Sequence, residues 1–438
     1  MSKRKIIVFS CDAMVYEDIR YLLTKPSFCA LYKKGAMVKR IRTVYPSVTY
    51  TCHTSMSSGC YPDKHGVTGN MKFMPGRLKP MPWQWFADAI KCPDIFTAAK
   101  RAGLSTAAVF WPVTGNHPDI DYLVDEYWPQ SKEDTKEACF LRSGTTREVY
   151  DTCVAPHIGP VTVRTHPDTD QFLVDCACEM IRHYRPDLLM LHTADVDSYR
   201  HHTGLFTEQV KRGLDDTERW FTQIIRTTKE AGVFEETNFF LVSDHGQMEI
   251  VRSLKPNVML ARNGLIRVDR AGEVADWQAY CQSNGLSALI RLRDPGDREL
   301  WKKTYELLLA LQREGVYGIS RVYTREEIRE KEHLDGDFSF VIETDGYTSF
   351  SEDWREPLIK ELDLSDYRLG RATPGHHPDK GPQPILFAFG PDIREGVEVE
   401  EKPVVDEVPT YGKILGLSLP SADGQPIDEI IRDRGKEG

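Results

Sequence analysis

Four groups of acidic and imidazole side chains have types and spacings suited to holding a divalent cation. They are Asp12, Asp197 with His201, the adjacent Asp244-His245, and His376-His377. Carboxylates mixed with imidazoles suit zinc or a similar borderline ion, and the sequence offers no clustered thiolates. An Asp and a His four residues apart converge when their segment makes a helical turn. Asp244 and His245 can share an ion only in a turn, for which Gly246 is suited. Upstream, residues 44–70 (VYPSVTYTCHTSMSSGCYPDKHGVTGN) are dense in hydroxyls, Gly, Pro and His, with five Ser or Thr from Ser47 to Ser55. A hydroxyl attacks at neutral pH only with a base or a metal beside it. No Ser-His-Asp order is legible here, so the metal route is the expected one. Two ions about 4 Å apart would bind both the attacking and the leaving oxygens of a phosphoryl displacement.

Apolar runs must deliver these groups. Residues 5–10 (KIIVFS) lead to Asp12, 188–191 (LLML) to the Asp197 segment and 238–242 (NFFLV) to Asp244; 105–111 and 386–389 are of the same type. Runs without alternation suit strands buried on both faces, and α/β sheets place ligands beyond the carboxyl ends of such strands. Helical patterns fall at 16–33 (broken at Pro26), 95–101, 170–184 and 207–231, and a helix opens in 51–59. Residues 122–165 read as irregular excursions over the sheet. The expected fold is α/β, a doubly wound, mostly parallel sheet with helices on both faces. After Gln247 the rhythm changes to short strands (265–268, 287–292, 338–343) and one strong helix (297–314). The expected organisation is therefore a core of 1–253 and 354–438 with an inserted α+β cap at 254–353. A helix is expected at 410–417, and a frayed tail from 429.

The formal charge of −10 argues against binding to a nucleic-acid polymer. The basic start is followed by too short an apolar run for a signal peptide, and no stretch approaches a membrane span. Ten cysteines without a CxxC pair suit reduced thiols, so a cytoplasmic location is expected.

Several segments together resemble the alkaline phosphatase superfamily, and within it the nucleotide pyrophosphatase/phosphodiesterase (type I phosphodiesterase) branch. They are Asp12 after the first strand, PSVTYTCHTSMSSGCYPDKHGVTGN, Phe110-Trp111-Pro112, Asp195-Val196-Asp197 with His201 and Gly204, Ser243-Asp244-His245-Gly246, and Phe389-Gly390-Pro391. Counting back from Gly59-Cys60-Tyr61-Pro62, the resemblance implies Thr49 as nucleophile and Tyr50 as the aromatic that follows it. It implies two divalent ions, zinc with Mn²⁺ as the substitute. Asp12, Thr49, Asp244 and His245 would hold one ion, and Asp197, His201 and a late His the other. The family's late His-Gly-Tyr falls in register with Pro374, so His376 is expected to take that role in preference to His377. Tyr50 and Cys52 are the expected substrate contacts. Cys52 stands where the nucleotide-cleaving branch is expected to carry a phosphate-binding Asn, which weakens the nucleotide assignment.

The implied reaction is cleavage of a phosphodiester or pyrophosphate bond in a small substrate through a phospho-threonine. The alternatives are a phosphomonoesterase or phosphonate hydrolase of the same superfamily, and a non-catalytic metal-binding protein that keeps the fold. A sulfatase is disfavoured by the lack of C-x-P-x-R. Trp111, His53 and His65 are expected to be structural and His202 solvated, while His333 and Asp337 are candidates to reach the site from the cap.

Overall fold

Lys5–Cys11 (β1) is buried at every position, because KIIVFSC has apolar side chains for both faces of a covered sheet. In this computed structural model, which describes residues 4–432 apart from 80, 160, 163, 363 and 365–369, β1 lies inside an eight-stranded sheet. Its further strands begin with Gly35–Arg42 (β2), Thr106–Val109 (β3), Tyr122–Val124 (β4), Leu188–Thr193 (β5) and Thr237–Val242 (β6). Four strands of a separate antiparallel sheet follow: Ala279–Ser283 (β7), Ser287–Leu292 (β8), Ile319–Thr324 (β9) and Phe340–Thr344 (β10). Leu386–Phe389 (β11) and Val397–Pro403 (β12) return to the large sheet, whose order is β12-β2-β11-β6-β1-β5-β3-β4. Only β11 runs against its neighbours, so the sheet is mostly parallel, as expected.

The helices that serve the site are Tyr16–Leu22 (α1), Pro26–Tyr32 (α2), Thr49–Ser58 (α3), Ile95–Arg101 (α4), Asp168–His183 (α5), Asp195–Thr203 (α6) and Glu208–Glu230 (α7). Arg298–Glu314 (α8) and Arg325–Glu332 (α9) pack on the second sheet, and Glu407–Leu415 (α10) on the first. Alternate residues of β1 face opposite layers. Ile7 and Phe9 meet Phe172 and Leu173 of α5 and Trp220, Phe221 and Ile224 of α7. Ile6 and Val8 meet Met56 of α3, Phe96 of α4, and Val408 and Tyr411 of α10. Each such side chain contributes about 1.5–3 kcal/mol by leaving water. Register aligns Cys11 with Thr193 and Ser10 with Val242, so three carboxyl ends are level on one rim. That rim carries the site.

Some expectations are corrected. Residues 122–165 are not all irregular: they supply the edge strand β4 and the helix Lys136–Arg142. The run at 105–111 ends as strand at Val109, because Phe110 turns the chain at φ +52°. β12 gives no buried-strand signal because VEVEEKP exposes three of its seven residues and fully buries none at the sheet edge. The tail is anchored through Ile430 and Ile431, which are buried; residues 433–438 lie outside the described residues. Among the described residues no helix is long and apolar enough to cross a membrane.

Candidate active site

Thr49 opens α3 directly after extended Val48, two residues earlier than expected. The helix is buried from Tyr50 to Ser58 although it is rich in hydroxyls. It tolerates burial because Thr54 donates to the Tyr50 carbonyl at 2.7 Å and Ser58 to the Thr54 carbonyl at 2.6 Å. Gly59, at φ +70°, terminates it with a left-handed residue. The amino end of α3 therefore faces the rim, and its partial positive charge favours an anion there.

Four of the expected residues converge at that point. Thr49 Oγ1 lies 3.1 Å from His245 Nε2 and 3.5 Å from Asp12 Oδ2. His245 Nε2 lies 3.4 Å from Asp12 Oδ1 and 3.2 Å from Asp244 Oδ2. The turn that joins Asp244 to His245 depends on Gly246, where a Cβ would stand 2.0 Å from the Pro382 carbonyl oxygen. Asp197 and His201 come together on α6 as the four-residue spacing requires, Oδ2 to Nε2 at 3.4 Å. Gln247 donates to the other Asp197 oxygen. His376 is buried, while His377 sits 3.0 Å from Glu332 Oε1. Glu332, His377 and Asp379 form a second cluster of metal-competent groups, but Arg42 donates to both carboxylates and supplies the positive charge.

The electrostatics fit a cation at the first cluster. Burial pushes the Asp12 carboxyl well up, and the Asp197 and Asp244 charges push it further. Burial acts on Asp244 in the same sense, but His245 and His53 outweigh it and hold that carboxyl low. Asp12 Oδ1 and Asp244 Oδ2 of this cluster are buried with no hydrogen-bond partner, as is Nε2 of His376, which lies outside the cluster. Three mutually repelling carboxylates and unpartnered lone pairs are the donor set a divalent ion neutralises. Burial lowers His376 to about 4 and His192 to about 3, so both are neutral. Beneath the cluster, His53 bridges the Thr49 carbonyl (2.9 Å) and Ser10 Oγ (2.9 Å), and His192 Nε2 reaches Asp12 Oδ2 at 3.1 Å. His53 is structural as expected; His192 was missed because it lies inside the β5 run.

A cavity of about 330 Å³ opens from Thr49, Asp12, Asp197 and His201 toward Tyr50, Trp83, Phe110 and Trp128. Tyr50 lies on it as expected, with its hydroxyl donating to Glu126 at 2.9 Å. Cys52 does not. It is buried in the core, its Sγ 3.0 Å from Thr43 Oγ1, because it lies nearly one turn further along α3 than Thr49, on the same side but below the rim. Asn70 lines the cavity instead and accepts the Tyr50 N–H at 2.9 Å. Its place at the end of the GVTGN segment was the available signal. His333 and Asp337 also stay away: His333 stacks on Tyr61 and Asp337 is exposed. Ser283, Asn284, Gly285 and Phe350–Glu352 are the residues near the second sheet that close the cavity. His202 is exposed at its rim, and Trp111 is buried with its indole N–H on the His53 carbonyl.

The family model of type I phosphodiesterase/nucleotide pyrophosphatase matches residues 6–371. An ectonucleotide pyrophosphatase/phosphodiesterase of Caenorhabditis elegans is 22% identical over 416 residues, 94% of this chain and 47% of the relative. The human ectonucleotide pyrophosphatase/phosphodiesterase family member 1 is 24% identical over 254 residues, 55% of this chain and 23% of the relative. The chain thus spans about half, or less, of the length of these curated relatives. Murine ectonucleotide pyrophosphatase/phosphodiesterase 5, solved as an inactive variant in complex with AMP, superposes with a TM-score of 0.68 at 18% identity, over 98% of this chain and 100% of that one. The human counterpart gives 0.69 at 17% identity, over 98% of this chain and 100% of that one. The fold is alkaline-phosphatase-like, and the chain belongs to the type I phosphodiesterase/nucleotide pyrophosphatase family.

Proposed function

We propose that the protein hydrolyses phosphodiester or pyrophosphate bonds in small nucleotide-like molecules, with Thr49 as the nucleophile. The observation that carries this reading is Thr49 Oγ1 at the amino end of a buried helix, 3.1 Å from His245 Nε2, on the wall of a ring-lined cavity. Asp12, Thr49, Asp244 and His245 would hold one divalent ion and Asp197, His201 and His376 the other, most simply zinc. Such a pair, when bound, neutralises the carboxylates and lowers the pKa of the attacking hydroxyl. Thr49 Oγ attacks phosphorus in line and forms a phospho-threonine as the leaving oxygen departs with its electron pair. Water then cleaves that bond, returns the threonine hydroxyl and releases the phosphorylated product. The Asn70 carboxamide and the amino end of α3 are positioned to donate to the non-bridging oxygens. The rings of Tyr50, Trp83, Phe110 and Trp128 suit a planar group, which favours a diester over a bare monoester. The AMP held by the murine relative supports a nucleotide as that group.

The test uses purified protein with Zn²⁺ or Mn²⁺ on bis-p-nitrophenyl phosphate, p-nitrophenyl phosphate and a nucleoside-monophosphate nitrophenyl ester, beside Thr49→Ala. Turnover of both diesters, lost on the order of 10³-fold or more in the variant, is expected. Turnover of the monoester alone would sink the diesterase reading. Equal activity of Thr49→Ala would sink the mechanism, and no turnover would leave a non-catalytic metal-binding protein.

A further inference from the structure

The loop that carries His376 is held largely from the second sheet. Pro374 O accepts the Leu286 N–H at 3.0 Å, from the start of β8. Gly375 adopts φ +95°, and a Cβ there would stand 1.6 Å from the Asn284 carbonyl oxygen in the β7–β8 turn. Backbone is therefore pressed against backbone. Two residues on, the His377 N–H donates to Glu343 Oε1 at 3.2 Å, and Lys380 Nζ reaches the same oxygen at 2.9 Å. Glu343 belongs to β10 and is 1% exposed; its other oxygen accepts the Tyr45 hydroxyl at 2.7 Å. Glu332, at the end of α9, takes the His377 ring at 3.0 Å and the Arg42 guanidinium. The core's own hold on the loop includes Gly375 N–H on the Ser47 carbonyl (2.9 Å), Ser47 Oγ on the His376 carbonyl (2.7 Å) and Arg42 Nε on Asp379 (2.8 Å).

This clamp fixes the chemistry of His376. Its Nδ1 lies 3.0 Å from the His377 carbonyl, which can only accept, so the proton sits on Nδ1. Nε2 then keeps its lone pair, and it is the buried atom without a partner. The carbonyl that sets this tautomer belongs to the residue whose N–H Glu343 grips. We infer that Glu343 is a positioning residue for divalent-cation binding: from the second sheet, it holds the late loop so that His376 offers Nε2 as a ligand. The inference rests on the reading of His376 as a metal ligand.

The full chain is tested as wild type, His376→Ala, Glu343→Ala and Glu343→Gln, with zinc affinities measured by competition against a chromogenic chelator and melting followed with and without metal. His376→Ala should lose one ion. Glu343→Ala should weaken that same ion about 10–100-fold, the usual effect of removing a residue that orients a ligand, while the other ion binds as in wild type. Glu343→Gln, which keeps the shape and one acceptor, should fall between and decides the matter if the alanine variant does not fold. Folded Glu343 variants with both wild-type affinities, merely melting lower by the same amount with and without zinc, would overturn the role. If His376→Ala itself retains both ions at wild-type affinity, the metal reading of the late loop fails first.

Discussion

Asn70 uses its Oδ1 to hold the N–H of Tyr50, the residue after Thr49, which leaves its NH₂ group as a donor at the cavity wall. A hydrogen bond to a charged oxygen contributes about 1.5–3 kcal/mol. Asn70→Ala should therefore lower kcat/KM for a nucleotide diester about 10–100-fold, measured on the nitrophenyl ester, with the melting temperature little changed. Cys52 is the contrasting case. Its thiol is packed among Met56, Val44 and Val242 and bonded to Thr43, so Cys52→Ser should alter stability but not the ranking of substrates. A shift in diester-to-monoester preference in Cys52→Ser would contradict that placement.

At the scale of the elements, α3 is a polar helix in an apolar setting, and its support includes His65. The His65 ring accepts the Val67 N–H on Nδ1 at 3.1 Å and meets Ser55 Oγ through Nε2 at 3.0 Å. Burial pushes its pKa down from 6.5 to about 3. Between those values the unfolded chain binds a proton that the folded chain does not. Stability contributed by His65 therefore rises with pH through this window and is lost on acidification, at about 1.4 kcal/mol per pH unit. Urea midpoints between pH 4 and about 7 should show a shallower slope for His65→Gln than for wild type. The clamped loop gives a second element-scale expectation. Gly375→Ala must displace the Asn284 carbonyl and adopt a left-handed backbone, so it should melt several degrees lower.

For the whole molecule, the level carboxyl ends of β1, β5 and β6 gather Asp12, Asp197 and Asp244 close enough to push on one another's charge. Such a concentration of charge is costly without a counter-ion. Added zinc should therefore raise the melting temperature and a chelator lower it. At 100 times the dissociation constant the gain is about 2.7 kcal/mol. Calorimetry with and without chelator measures it, and an unchanged melting temperature would argue that no ion neutralises the cluster.

The sequence by itself determined the parallel-sheet character, the family and the pairing of Thr49 with Asp12, Asp244 and His245. The sheet follows from unalternating apolar runs, while the family and the grouping around Thr49 follow from the resemblance of the ordered motifs to the type I phosphodiesterase pattern. The weak edge strand β12 and the burial of Cys52 were not legible, since exposure depends on neighbours far along the chain. The late loop divides the same way. The family's register pointed to His376 in preference to His377, but the contacts that hold this loop come from Glu343, Leu286 and Asn284, and only tertiary packing brings those residues to Gly375-His376-His377.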